Sequence, residues 1–281
     1  MSARRVFGEW AAPGGALDAA RLAELERLLV EGCPPTPGPV VDVHAHLGRD
    51  ADGHALAAAD LVADMESHGV DRAVCFPANE PGDGDVAFAA SNAAVADAAR
   101  ELPGRIVPFC RVDPSRGAAE AMERAAADGA RGLKLHPVGQ RFSPDSRECV
   151  ACVRDATRRG WPVLFHAGYG ARALAAPFAA LLDAAPGCRL ILAHAARGDA
   201  RAVWDVARGR DDVWWDTSLA ALADVVMLPP SRVVFGADRP YGEHATARQL
   251  VALAAAVAGW DDAQLAGVMG RNAQDLLGDA A

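Results

Sequence analysis

The chain is predicted to be an α/β protein, a single (β/α)8 TIM barrel with a short N-terminal helical extension, on three observations. Eight short runs rich in β-branched residues alternate with Ala-rich helical stretches from residue 40 onward. Each run is too uniformly apolar to be half exposed, which suits parallel strands covered on both faces. Strand-helix alternation implies a parallel sheet, and eight such units favour a closed barrel over an open sheet.

In chain order, residues 1–39 read as the extension. A helical stretch over 18–31, rich in Leu and Glu, leads into Cys33-Pro34-Pro35-Thr36-Pro37-Gly38-Pro39. These prolines end the helix and act as a stiff linker. The barrel is assigned to residues 40–281. Its strand-like runs are 40–46, 72–77, 105–112, 132–136, 162–166, 189–194, 212–217 and 232–237, with helical material between them, for example at 58–68, 85–101, 118–128 and 144–159. Helices over 244–258 and 261–277 complete the last unit and add one more. The length of 281 residues accommodates this, since α/β barrels occupy about 200–250 residues as one domain.

Composition narrows the function. With 51% hydrophobic and 23% charged residues the chain is globular and not disordered. A formal net charge of −9 and a pI near 5.3 repel nucleic-acid phosphates and anionic membranes, so neither is an expected partner. The longest strongly apolar stretch, 250–260, is about half the roughly 20 residues a membrane span needs. Arg4 and Arg5 are followed by Gly8, Glu9, Trp10 and Pro13 instead of an apolar signal region, so a cytoplasmic location is expected. The six cysteines make no disulfide framework, and Cys149-Val-Ala-Cys152, inside an expected helix with no second pair nearby, reads as packing.

Function-bearing residues collect where the apolar runs end. Val41-Asp42-Val43-His44-Ala45-His46 closes the first strand with imidazoles at i and i+2, on one face by the period-two rule. In a barrel that face is the interior, at the C-terminal mouth where active sites are built. Lys134 and His136 end the fourth strand, His166 the fifth, His194 the sixth and Asp238 the eighth. Five of the 8 histidines thus follow apolar runs. Imidazoles and a carboxylate buried together are costly without a partner, and a divalent cation satisfies several at once. Three imidazoles and one carboxylate suit Zn²⁺ first, with Mn²⁺, Fe²⁺ or Co²⁺ as alternatives. A lone strand histidine such as His136 reads equally well as a core or substrate contact.

His44-Ala45-His46, Gly132-Leu-Lys-Leu-His-Pro137, His166-Ala-Gly168, Leu192-Ala-His-Ala195, Phe235-Gly-Ala-Asp-Arg-Pro240 and the closing Gly270-Arg-Asn-Ala-Gln-Asp-Leu-Leu277 together resemble the amidohydrolase superfamily. More closely, they are similar to its amidohydrolase 2 branch, which includes aminocarboxymuconate-semialdehyde decarboxylase; the resemblance covers roughly 40–278. It implies that His44, His46, His166 and Asp238 hold one metal, that His194 stands beside it, and that the protein is a homodimer. Lys134 lies where binuclear relatives carry a carboxylated lysine. Because the branch is usually mononuclear, Lys134 is preferred as an ammonium for an anionic group of a small-molecule substrate.

Asp238 and His194 are the expected proton-handling residues in hydrolysis of an amide, cyclic amide or lactone, with His194 orienting the water or stabilising the oxyanion and Lys134 the third catalytic candidate through its hold on the substrate's anionic group. The alternative is a metal-dependent decarboxylase, with Arg111 or Arg239 anchoring a carboxylate; the short chain, lacking room for large insertions, favours hydrolysis. Asn79, His136, Tyr169 and Tyr241 are candidate substrate contacts just beyond strand ends, each with an equally good packing or capping role. Asp216 reads as a structural hydrogen-bonding residue, Asp50–Asp52 is not spaced as a calcium loop, and His54, His68 and His244 are expected to be solvated. Two further classes stay open: a metal-stabilised binding protein without catalysis, and a metal-independent hydrolase on the same barrel.

Overall fold

The computed structural model describes residues 18–36, 38–78 and 85–279; residues 1–17, with Arg4 and Arg5, and the candidate Asn79 lie outside the described residues. Helix α1 (Ala19–Glu31) starts where the Asp18 carboxylate accepts the Arg21 N–H at 2.8 Å. Its Leu25 is fully buried in the core, and the Leu28 carbonyl accepts from Gln249 Nε2 at 3.1 Å, so the extension is packed against the body of the protein.

Each expected strand run falls on one position of the parallel ladder. These are β1 (Val41–Arg49), β3 (Arg72–Pro77), β4 (Ile106–Pro108) with β5 (Cys110–Arg111), β6 (Leu133–Leu135), β7 (Pro162–Phe165), β8 (Arg189–Leu192), β9 (Val213–Asp216) and β10 (Val233–Val234). The third run is divided at Phe109, whose N–H still donates to Cys75 O at 2.8 Å. The last strand returns to the first. Val43 N–H donates to Phe235 O (2.9 Å), Asp238 N–H to His44 O (2.8 Å) and His46 N–H to Arg239 O (2.7 Å).

One strand was not anticipated. β1 continues to Arg49 and folds back onto β2 (Ala55–Leu56) as an antiparallel hairpin. Asp50 organises the turn: its carboxylate accepts the His54 N–H at 2.8 Å and its own N–H donates to His54 O at 2.9 Å. Asp50 is therefore a loop-building residue.

Helices α2 (Ala58–His68), α3 (Asp85–Glu101), α4 (Ala118–Ala127), α5 (Pro137–Gln140), α6 (Arg147–Arg158), α7 (Ala175–Ala184), α8 (Ala200–Ala207), α9 (Leu222–Val226) and α10 (His244–Ala258) follow the strands in turn. Cys149 and Cys152 are buried on α6 within the core, as the packing reading requires. The expected helix at 261–277 is divided into α11 (Asp262–Ala266) and α12 (Asn272–Leu277) by a π-turn over Gly267–Arg271. Gly270 is needed there, because a Cβ would lie 1.9 Å from Pro39 O. Among the described residues no helix is long and apolar enough to cross a membrane.

Strand alternation separates two apolar layers. Leu133, Leu135, Val163, Phe165, Leu190, Leu192, Val233 and Phe235 join the outer layer under the helices. Val41, Val43, Val74, Phe76, Leu164, Ile191 and Val234 form the inner one, with Ala273, Leu276 and Leu277 of α12 packed into the same cluster. β1 breaks its own alternation. Val41 and Val43 face inward, yet Ala45 and Leu47 belong to the outer layer, and the register against β3 shifts between Asp42 and Ala45. An irregularity of this kind re-aims the side chains that follow it. Without it, strict alternation from Val43 would turn His44 and His46 outward.

Candidate metal centre at the barrel mouth

The shift in β1 brings His44 and His46 into a cavity of about 260 Å³ at the C-terminal ends of the strands. Lys134, His136, His166, Tyr169, His194, Leu219, Asp238 and Tyr241 line the rest of it. His44 is the most constrained. Its Nδ1–H donates to Asp216 Oδ2 at 2.7 Å, so in the neutral ring Nε2 is the acceptor nitrogen. With no cation beside it, burial and Lys134 push the pKa down, but Asp238 and Asp216 outweigh them and raise it, so that Nε2 carries a proton toward Asp238. That atom stands 3.3 Å from His46 Nε2, 3.1 Å from Asp238 Oδ1 and 3.2 Å from Lys134 Nζ. His46 Nε2 is also 3.1 Å from Asp238 Oδ1, and its Nδ1 is buried without a partner.

The outer pair is oriented in the same way. His166 Nε2 donates to Tyr169 O at 2.9 Å and His194 Nδ1 to Ser218 O at 2.9 Å, so both remaining nitrogens are acceptors. Those two atoms, His166 Nδ1 and His194 Nε2, point at each other across 3.3 Å. The chain reaches this geometry through a left-handed turn at His194, Ala195 and Ala196 (φ 60°, 50° and 55°) that folds the ring back over the mouth. Gly168 makes room for it, since a Cβ there would meet the His194 ring at 2.6 Å.

The donor set fits a cation. Lone pairs on His44, His166 and His194 and an oxygen of Asp238 are turned toward a shared space, where facing acceptors repel unless a positive charge lies among them. His44, His194 and Asp238 each offer a ligand atom within 4.8 Å of one another, and the His46 Nε2 distances place that residue with them. His166, expected as a ligand, stands beside His194, with the His136 ring stacked on it at 3.9 Å.

Asp216 does more than the structural bond expected of it. While Oδ2 fixes the His44 ring, Oδ1 accepts the backbone N–H of Ser218 (2.8 Å) and of His194 (3.2 Å). One carboxylate thereby orients the first and sixth strand ends together. Outer carboxylates of this kind are worth about 10–100-fold in metal affinity. Asp216→Asn is therefore expected to weaken metal binding by that factor in a chelator-competition titration, and unchanged affinity would remove Asp216 from the site.

Burial sets the charge states. It lowers His46 and His166 to about 3 and pulls His136 below its usual range, so these rings are neutral. Burial alone would push Asp238 up, but His44 and His46 outweigh it and hold the carboxyl well below the usual range. Lys134 is pulled down to about 7, chiefly by burial and against the attraction of Asp238 and Asp216. For stability the sign is set by the lowered histidines. They take up protons in the unfolded chain below about 6.5 but resist doing so when folded, so the folded state loses stability as pH falls from about 6.5 toward 3. Each such ring contributes about 1.4 kcal/mol per pH unit. Urea midpoints measured with excess chelator should fall steeply across that window, and a flat profile would show that the rings are accessible to protons.

The remaining candidates are divided by the structure. Tyr169 lies at the rim, its hydroxyl donating to Leu219 O (3.1 Å) and accepting from Arg197 (2.6 Å). His136 Nδ1 accepts the Gly139 N–H at 2.9 Å, which leaves Nε2–H as its donor. Arg111 is buried outside the residues that line the cavity, donating to Ala78 O at 3.0 Å with its guanidinium over Phe88. Arg239, the other candidate carboxylate anchor, is in a salt bridge, 2.9 Å from Asp64 on α2. Tyr241 lines the cavity and donates to Asp50 at 2.6 Å. His244, expected to be solvated, is fully buried between two carboxylates. Its expectation failed because its burial partners, Asp42 and Asp64, are far away in sequence.

A family model described as Amidohydrolase matches residues 41–278. Among solved structures, a probable 2-pyrone-4,6-dicarboxylic acid hydrolase from Acinetobacter baumannii, with citric acid bound, is 14% identical; the match covers 86% of this chain and 100% of that one, with a TM-score of 0.63. The 2,6-dihydroxybenzoate decarboxylase from Rhizobium is 14% identical over 85% of this chain and 98% of that one (TM-score 0.66). The 5-carboxyvanillate decarboxylase of Sphingomonas paucimobilis is 18% identical over 79% and 83% (TM-score 0.62). No protein of curated function matches the chain.

Proposed function

The chain belongs to the amidohydrolase family, and on that membership we propose that it is a metal-dependent hydrolase that opens an amide, cyclic amide or lactone of a small anionic substrate. The observation that carries this reading is the ring of facing acceptors with Lys134 Nζ at its edge. His44, His46, His166 and Asp238 are the proposed ligands of one divalent ion, zinc before Mn²⁺, Fe²⁺ or Co²⁺. Such an ion supplies water whose pKa is lowered from about 15.7 to about 7.

The chain's own groups supply the rest. Asp238, held ionised, accepts the proton of the attacking water and passes it to the leaving group. His194, fixed through Nδ1–H to Ser218 O, presents Nε2 as an acceptor that orients that water. Lys134 attracts an anionic group of the substrate, and His136 Nε2–H and the Tyr169 rim offer further contacts. The nearby buried charge of Arg111 strengthens the positive field. A pyrone dicarboxylic acid, a lactone carrying two carboxylates, has the chemistry such a mouth would accept.

Decarboxylation is the second reading, favoured by the likeness to the two decarboxylases. The homodimer rests on the family resemblance, and sedimentation velocity reads it directly. One experiment separates the chemistries. Purified protein, analysed for bound metal, is turned over in ¹⁸O-water with lactone and aromatic-carboxylate substrates. Label in the product carboxylate supports hydrolysis, CO₂ release supports the lyase, and full activity of chelated, metal-free protein would overturn the metal-dependent reading.

A further inference from the structure

Behind the mouth lies a second cluster of titratable groups that the proposed chemistry does not use. Asp42 is fully buried and points away from the mouth. Its Oδ1 accepts the N–H of His44 at 2.8 Å and the N–H of Ala237 at 3.0 Å. It therefore ties the irregularity of β1 to the segment that carries Asp238, across the seam where the last strand meets the first. Asp42 Oδ2 is held in turn by His244 Nε2 at 2.9 Å, and His244 Nδ1 stands 2.8 Å from Asp64 Oδ2 on α2. Both ring nitrogens of His244 face carboxylate oxygens, so both must donate, and only the imidazolium satisfies both contacts.

We propose that His244 is a positioning residue: clamped between Asp42 and Asp64, it fixes Asp42 and so holds the irregularity in β1 that turns His44 and His46 into the mouth. The inference rests on those residues being metal ligands. The groups facing His244 are Asp42 from β1, and Asp64 and His68 from α2, with Arg239 reaching the same Asp64 oxygen at 2.9 Å. Burial lowers the affinity of His244 for its proton, but the two aspartates outweigh it and raise the pKa. The clamp is thus intact below the ordinary histidine pKa of about 6.5 and loosens only as pH rises through the higher folded value.

His244→Gln tests this, because Gln donates at one end only. The expected result is amide exchange at His44 and Ala237 faster by about tenfold, the equivalent of one hydrogen bond to a charged group. Metal affinity, read by chelator competition, should fall about 10–100-fold. Should that variant fail to fold, Asp64→Asn replaces it, with the same losses appearing at alkaline pH together with loss of the His244 imidazolium signal in the ¹⁵N imidazole spectrum. Unchanged exchange and affinity in a folded variant, or losses in Asp64→Asn with the imidazolium retained, would overturn the proposal; the second pattern assigns the effect to Arg239. If the parent protein binds no metal, the metal-dependent reading fails, while the amide exchange still decides whether His244 holds the strand.

Discussion

Asp238→Asn lowers kcat by about 10²–10⁴-fold, the range for removing a positioned general base. The substitution keeps the shape and an oxygen near His44 and His46, both at 3.1 Å, but removes the charge and the capacity to take a proton. Its left-handed backbone (φ 62°) is one that Asn tolerates, so the fold should survive. The measurement is kcat on enzyme supplied with saturating metal, alongside metal content. Weakened metal binding with kcat restored at saturation would make Asp238 a ligand alone, and turnover at the parent rate would remove it from the chemistry.

The second large effect is a contrast between neighbours. His166→Ala is expected to purify without metal and without activity, whereas His194→Ala keeps most of its metal and loses about 10²–10³-fold in turnover, as for loss of one preorganised transition-state partner. The two acceptor nitrogens are only 3.3 Å apart, so the distinction rests on roles more than on place. Metal analysis by emission spectrometry and kcat on both variants decide it. Metal lost from His194→Ala and retained by His166→Ala would exchange the two assignments, and a fully active His194→Ala would end its proposed role.

Much of this site was legible along the chain because strand ends punctuate it. An apolar run broken by His, Lys or Asp is conspicuous, and Lys134, His166, His194 and Asp238 all end up lining one cavity. What was not legible depends on partners distant in sequence. Asp216 acts on His44 across 172 positions, and His244 meets Asp42 across 202. No local pattern announces either contact. Arg111 was the preferred carboxylate anchor and Arg239 the weaker one; Arg239 forms an ion pair with α2, while Arg111 is buried and is not among the residues that line the cavity. The β1–β2 hairpin escaped notice because an Asp50 turn, and not an apolar run, makes it.

The sequence by itself determined the strand-helix alternation, the order of the strands and the residue types at their ends. Those follow from periodicity and burial, which neighbouring residues encode. Tertiary structure alone decided which way the first strand's histidines face. The i, i+2 spacing places His44 and His46 on a common side, but Val41 and Val43 occupy the inner side in the opposite phase. The two sets share the barrel interior only because the register shifts between Asp42 and Ala45. That shift is pinned by a carboxylate bound to the seam and to a helix about 200 residues away, where closure of the barrel brings the first strand, the last strand and α10 together.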